Sequence, residues 1–394
     1  MKVGIIGGGI AGLTCGYRLA QKGINSIIFE KEPLVGGRLP YAVAIASPRF
    51  YLRLSALIKE LGLTEVKRIP LIITKVAFIM PNGKWVGMEA LPLVLLKLGL
   101  KSVLYFLKLA LFALRLNFSV KKFDPRLVKL REISFEEYLK GCPEGLKDFL
   151  LRALRGFHCF PELNFSQVSA SSMMVDLRFL TEIFFGTTRI LKDENNLGVI
   201  AKALDQKIKE MGFPVLTSAE VKKVERKGEK FLLSYQREGE KKEEVDKVVL
   251  ATPLTVTKEI FPELKLETNI WYPQIRSFSI EGKLKKPKRR LVVGLAGNPV
   301  NLGLVINTFP RLQHVYPLDK AKPIDFQSIY SEYKVIDEKI LTSVLPIFPP
   351  GVKVPELKTE IKGVYLCGDF YYYPSLEMAI ETGEMVAELI KKEE

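Results

Sequence analysis

Histidine is scarce in this chain: 394 residues include only His158 and His314. A metal centre built on imidazoles, or a nucleophile activated by a histidine base, is therefore not expected. His158, within GFHCFPE, is read as a packed structural residue. Cysteine is sparse as well. Cys15, Cys142, Cys159 and Cys367 form no CxxC pair, and the first and last lie in segments expected to be buried. Reduced core thiols and a cytoplasmic location are expected. Acids are outnumbered, 44 against 59 Lys and Arg, giving a formal net charge of +15. Such an excess attracts anionic partners such as a lipid surface, a nucleic acid or an acidic substrate. The basic run at 283–290 has no interleaved aromatics and no nucleic-acid motif, so it is read as a solvated hairpin tip and no nucleic-acid partner is expected. An apolar run starts at Val3 and reaches a Gly-rich turn at Gly7, so it is read as a first strand and not as a secretory leader.

What is present begins with that run. Val3–Ile6 leads into Gly7-x-Gly9-x-x-Gly12, and a helical pattern follows over about 10–22. A second apolar run, Ile27–Phe29, ends in Glu30, 18 residues beyond Gly12. This is the strand, Gly-rich turn, helix, strand and acid of a dinucleotide site. Gly7 allows the tight turn, Gly9 lets backbone approach a pyrophosphate, and Gly12 lets helix and strand pack closely. The helix N-terminus offers free N–H groups to phosphate, and the Glu30 carboxylate can accept both ribose hydroxyls. Gly36-Gly37-Arg38 follows, suggesting a second close backbone approach with a cation beside it.

GxGxxG, Glu30 and GGR together resemble the N-terminal signature of the FAD-dependent amine oxidase, phytoene desaturase and protoporphyrinogen oxidase superfamily. The resemblance implies FAD as cofactor. It also implies contacts from Gly7, Gly9, Ala11, Gly12, Glu30, Lys31, Gly37 and Arg38. In place of the family's longer Asp- and Gly-containing stretch, Leu39–Pro48 is short and apolar. Further on, Val215–Thr217, Ala219–Arg226, Lys230–Tyr235 and Val245–Leu250 read as strands, and the last runs into Ala251-Thr252-Pro253, resembling the family's return to its FAD domain. There Val221 is implied to meet the adenine and Thr252 to lie near the cofactor. Gly368-Asp369 and the helix that follows, about Ser375 to Lys391 and starting in PSLEMAIETG, resemble the second FAD motif, with contacts from Gly368, Asp369 and, through backbone, Leu376 and Glu377.

The intervening chain carries the substrate side. Residues 49–62 and about 166–185 read as helices, Asn196–Met211 as another, and runs flanking Pro81-Asn82-Gly83 as a hairpin. Ser134-x-x-Glu137 is a capping box. Ile275–Glu281, Leu291–Leu295 and Leu302–Asn307 read as antiparallel strands. Phe157, Phe160, Phe165, Phe179, Phe184 and Phe185 are candidates for an apolar cavity wall or for ordinary core. Phe370-Tyr371-Tyr372-Tyr373 could place one ring beside the flavin. Residues 91–116 are apolar apart from Lys97, Lys101, Lys108 and Arg115, which share one stripe if the segment is a single helix; Gly99 is a point at which it could split in two. Spanning a bilayer would bury Lys101 and Lys108 at roughly 2.5–3.5 kcal/mol each. Two readings stay open: an in-plane membrane helix, or a core helix with a solvated lysine stripe.

The expected fold is α/β. A Rossmann-like FAD-binding domain is drawn from 1–75, 190–258 and 345–394. A discontinuous α+β substrate domain takes 76–189 and 259–344 and includes a helical, membrane-binding insertion at 88–185. The expected activity is hydride removal from an apolar isoprenoid or polyene substrate by an enzyme peripheral on the membrane's inner face. The alternatives are a protoporphyrinogen oxidase, an amine oxidase, or a flavin-binding protein without turnover. No metal is expected, and the motifs assign no catalytic side chain.

Overall fold

A computed structural model describes residues 1–41, 45–46, 51–117, 124–184, 189–192, 197–307, 312–371 and 373–394. Its first layer is a five-stranded parallel sheet. In spatial order the strands are Val364–Leu366, Lys247–Leu250, Lys2–Ile6, Asn25–Phe29 and Val215–Leu216. Strand Lys2–Ile6 is buried along Val3–Ile6, as a central parallel strand must be. It is also where the strand order reverses, and the crevice beyond the carboxyl ends of such strands is the usual ligand position. The helices Ile10–Gln21 and Leu376–Lys392 pack against each other beside this sheet. Gly383 makes that closeness possible: a Cβ there would come within 2.5 Å of the Ala11 carbonyl.

The second layer is a seven-stranded sheet. Its order is Tyr330–Leu341, Ile275–Leu284, Gln313–Pro317, Leu302–Ile306, Leu291–Gly294, Val76–Ile79 and Trp85–Gly87. All neighbours are antiparallel except Leu291–Gly294 with Val76–Ile79. Helix Glu144–His158 lies on it, and its Gly156 sits where a Cβ would be 1.9 Å from the Gly294 carbonyl. Helix Ala170–Phe184 packs against helix Leu100–Arg115.

Several sequence expectations change. The 275–295 segment is not a hairpin, because Ile275–Leu284 and Leu291–Gly294 are not neighbours. The basic run between them is therefore not a solvated tip throughout. Arg289 pairs with Glu89 at 2.6 Å and donates to the Thr74 and Val76 carbonyls. Residues 91–116 form two helices, Leu91–Lys97 and Leu100–Arg115, broken at Gly99, whose φ is +95°. Lys97 therefore leaves the stripe of Lys101, Lys108 and Arg115. Helix 49–62 is Leu52–Glu60, helix 166–185 is Ala170–Phe184, and helix 196–211 is Gly198–Glu210. Residues 47–50, Phe185, Asn196 and Tyr372 lie outside the described residues, as does the Phe184 side chain. Ser134 caps as expected, accepting from the Glu137 amide at 3.0 Å, but its helix runs only Phe135–Tyr138. Among the described residues no helix is long and apolar enough to cross a membrane.

Candidate active site

A cavity of about 740 Å³ opens at the carboxyl ends of the parallel strands and continues between the two layers. Its first wall is the Gly-rich turn. Gly7 has φ +110°, a region favouring glycine, and donates to the Phe29 carbonyl at 2.8 Å. At Gly12 a Cβ would lie 2.0 Å from the Gly7 carbonyl, so this glycine permits packing and does not itself line the cavity. Gly9 is different. Its Cβ position meets nothing within 4 Å, and Gly9, Ile10 and Ala11 line the cavity. As N-cap of helix Ile10–Gln21, Gly9 has no side chain to cap the first turn. An uncapped helix N-terminus beside open space is a seat for phosphate.

Glu30 is 6% exposed, and its two carboxylate oxygens accept from the Gly8 amide at 2.7 Å and the Glu32 amide at 2.9 Å. Burial pushes its pKa up, against the pull of those amides. Each oxygen keeps a lone pair for a ribose hydroxyl. Lys31 also lines the cavity beside it. Val221, Thr252 and Ala219 close the same end, the Ala219 amide donating to the Glu30 carbonyl at 2.8 Å.

The far-separated second motif meets the first here. Gly36 donates to the Gly8 carbonyl at 2.8 Å, and Gly37, with φ +53°, lies beside Gly9. Arg38 then bonds Asp369 at 2.7 Å and also donates to the Val344 carbonyl. Gly368 is held from the final helix: its amide donates to the Thr382 hydroxyl at 3.0 Å, and that hydroxyl donates to the Gly368 carbonyl. Gly368, Asp369 and Leu376 line the cavity. Glu377 does not. Its buried carboxylate turns away and accepts from the Arg53 and Leu54 amides, capping helix Leu52–Glu60. Burial pushes its pKa up to about 7.

On the other side the wall is largely apolar. Phe157 and Phe179 line it, whereas Phe160 packs on Trp271 and Phe165 on Phe135 in the core. Phe370 supplies a buried ring to the wall, and Tyr371 stacks on it. His158 is buried, as expected of a packed residue, but it also lines the cavity. Its Nε2 lies 2.9 Å from Asp176 Oδ2. Asp176 was not singled out in the sequence. It is one of two acids, with Glu182, in a largely apolar helix, Ala170–Phe184, and that contrast was the signal that would have found it. Lys339 is a second addition, its ammonium 5.4 Å from the centre of the Tyr41 ring. All four thiols are free and buried, and burial pushes Cys142 up to about 11 and Cys367 up to about 12, which makes them poor nucleophiles.

Residues 5–58 match the NAD(P)-binding Rossmann-like domain, and residues 51–279 match the flavin containing amine oxidoreductase family. The chain belongs to that family. The uncapped helix, the Glu30 acceptors and the paired Arg38 and Asp369 fit FAD, which is its cofactor, and the enzyme is an FAD-dependent oxidoreductase. No curated protein sequence matches the chain. Among solved structures, a fatty acid isomerase from P. acnes that produces CLA superposes with a TM-score of 0.71 at 15% identity, covering 99% of this chain and 98% of its own. An oxidoreductase from Methanosarcina mazei gives 0.68 at 16% identity, covering 98% and 100%. Putrescine oxidase bound to putrescine gives 0.67 at 14%, covering 100% and 99%. At such identities the likeness is one of fold.

Proposed function

We propose that this oxidoreductase removes a hydride from an apolar substrate of isoprenoid or polyene type. Bound FAD supplies the hydride acceptor. Gly9, Ala11, Glu30, Lys31, Arg38, Val221, Thr252, Asp369 and Leu376 hold it, and the first turn of helix Leu376–Lys392 favours negative charge on the ring. The chain's remaining part is to align the substrate and exclude water. The observation that carries the reading is the wall opposite the cofactor seat, with Met173, Val175, Phe179, Leu304, Ile347 and Phe348. Such a wall binds a chain or ring system by burial. Anaerobic mixing with phytoene, protoporphyrinogen or putrescine tests it. Bleaching of the flavin by the polyene alone is expected, and bleaching by putrescine alone overturns the reading. Lys339 favours a second reading, an amine oxidase in which a lysine near the flavin handles oxygen. Under it, Lys339→Met would slow flavin reoxidation by oxygen at least tenfold.

The same reading includes docking of helices Leu91–Lys97 and Leu100–Arg115 on an anionic bilayer. Leu93, Leu96, Leu100, Leu104, Leu107 and Leu111 are between 45 and 69% exposed. On the second helix the four exposed leucines span roughly 60° of arc, with Lys101, Lys108 and Arg115 on the adjoining roughly 40°. Leucines into the acyl boundary with cations at the headgroups is the pattern of an interfacial helix, each cation adding about 1 kcal/mol. A net charge of +15 opposes a second copy as the occupant and favours an anionic surface.

A further inference from the structure

We propose that Asp176, held by His158, forms a subsite that grips a hydrogen-bond donor, a hydroxyl or an ammonium, at one end of an otherwise apolar substrate. The inference rests on the reading that the substrate side of the cavity takes an apolar molecule.

Asp176 and His158 are 9% and 6% exposed, and both line the cavity. They share one bond of 2.9 Å, through Asp176 Oδ2 and His158 Nε2. A carboxylate only accepts, so Nε2 carries the hydrogen in that bond. The pair is not a closed structural bridge. Among the described residues Asp176 Oδ1 makes no hydrogen bond, and His158 Nδ1 is buried with no partner. Among the described residues no fixed cation pairs with the carboxylate either: Arg178, two residues on, bonds Glu182 at 3.1 Å, and the one ion pair of Asp176 is with His158. A buried carboxylate with a spare oxygen is costly unless something donates to it. The surrounding wall supplies Phe157, Val175 and Phe179, which cannot; the Tyr51 and Ser172 hydroxyls line the same cavity, but among the described residues neither bonds Asp176.

Geometry fixes both halves. Gly156 lets the end of helix Glu144–His158 settle on the sheet, delivering His158 to the cavity. Asp176 projects from the facing helix, Ala170–Phe184. Because the free carboxylate oxygen, Asp176 Oδ1, is an acceptor, the subsite selects donors and repels carboxylates and phosphates. Asp176 is the binding group, and His158 positions it.

The test uses the FAD-loaded enzyme and matched twelve-carbon probes: dodecanol, dodecylamine, dodecyl methyl ether and dodecanoate. Binding is read as perturbation of the flavin spectrum, without turnover. Dodecanol and dodecylamine are expected to bind at least tenfold tighter than the ether, and dodecanoate weakest. The amine-to-alcohol ratio tells which donor the site prefers. Asp176→Asn should erase the advantage of the amine and leave affinity for the ether unchanged. His158→Phe should shrink the advantage of both donors, again without moving the ether. Equal binding of ether and donors by the unaltered enzyme, or no binding of any probe, overturns the proposal with no variant needed. If donors are preferred yet no polyene bleaches the flavin, the subsite stands and the oxidation reading falls.

Discussion

At the residue scale, two glycines of one motif do different work. Gly12→Ala forces a Cβ to within 2.0 Å of the Gly7 carbonyl, a backbone atom that cannot step aside. Overpacking of that kind costs about 1–3 kcal/mol, so a lower melting temperature even without FAD is expected. Gly9→Ala meets nothing within 4 Å and keeps an ordinary φ of −73°. It should melt like the parent as apoprotein but copurify with much less flavin. If both variants melt alike as apoproteins, the division of roles is wrong. Asp369→Asn strips the charge that faces Arg38 at 2.7 Å. A loss of FAD affinity of about 1–3 kcal/mol, read by flavin release on dilution, is expected. The seats of Glu30, Arg38 and Asp369 were legible in the sequence because each is tied to a glycine-dependent turn. Asp176 was not, since only tertiary packing brings its helix opposite His158.

At the element scale, helix Leu376–Lys392 does more than face the cofactor. Its Glu377 caps the helix Leu52–Glu60, whose first N–H groups would otherwise be orphaned. Burial raises this acid to about 7, so the folded chain binds a proton there more tightly than the unfolded one. The contribution is present below about pH 4.5 and is lost as pH rises to about 7, on the order of 3 kcal/mol. Denaturant titrations of the apoprotein should show stability falling through that window, and Glu377→Gln should flatten the slope. An unchanged slope would remove Glu377 as its source. The motif placed this helix at about Ser375 to Lys391, one residue off at each end, and the pattern of short apolar runs served the strands. That pattern missed the strand Glu240–Val245, whose sequence EKKEEV has no apolar alternation and which exists by pairing with Lys230–Gln236. The split between helices Leu91–Lys97 and Leu100–Arg115 was signalled by Gly99 alone, which breaks the backbone without interrupting the leucines.

At the scale of the whole molecule, the two layers share one cavity, so cofactor and stability are linked. Removing FAD should lower the melting temperature by the binding energy it supplies, about 4 kcal/mol when the ligand stands a thousandfold above its dissociation constant. The exposed leucines offer an independent check. Flotation with vesicles rich in phosphatidylglycerol should carry the enzyme upward, and pure phosphatidylcholine should not. Replacing Leu104, Leu107 and Leu111 by Ser should abolish flotation and leave FAD content intact. A dimer that ignores vesicles would assign the same face to a second copy. The alternation of strand and helix made the parallel sheet readable from sequence. The order of the seven-stranded sheet was not, because Val76–Ile79 pairs with Leu291–Gly294 across more than two hundred residues.

The clasp between Arg38 and Asp369 joins positions 331 residues apart. Its neighbours, strand Val364–Leu366 and helix Leu376–Lys392, supply one edge of the parallel sheet and one wall of the seat. A ribosome that has made only the first three hundred residues has therefore built a Gly-rich loop with nothing opposite it. Flavin capture has to wait for synthesis of the 364–392 segment, and the cell must shelter the half-made crevice until then.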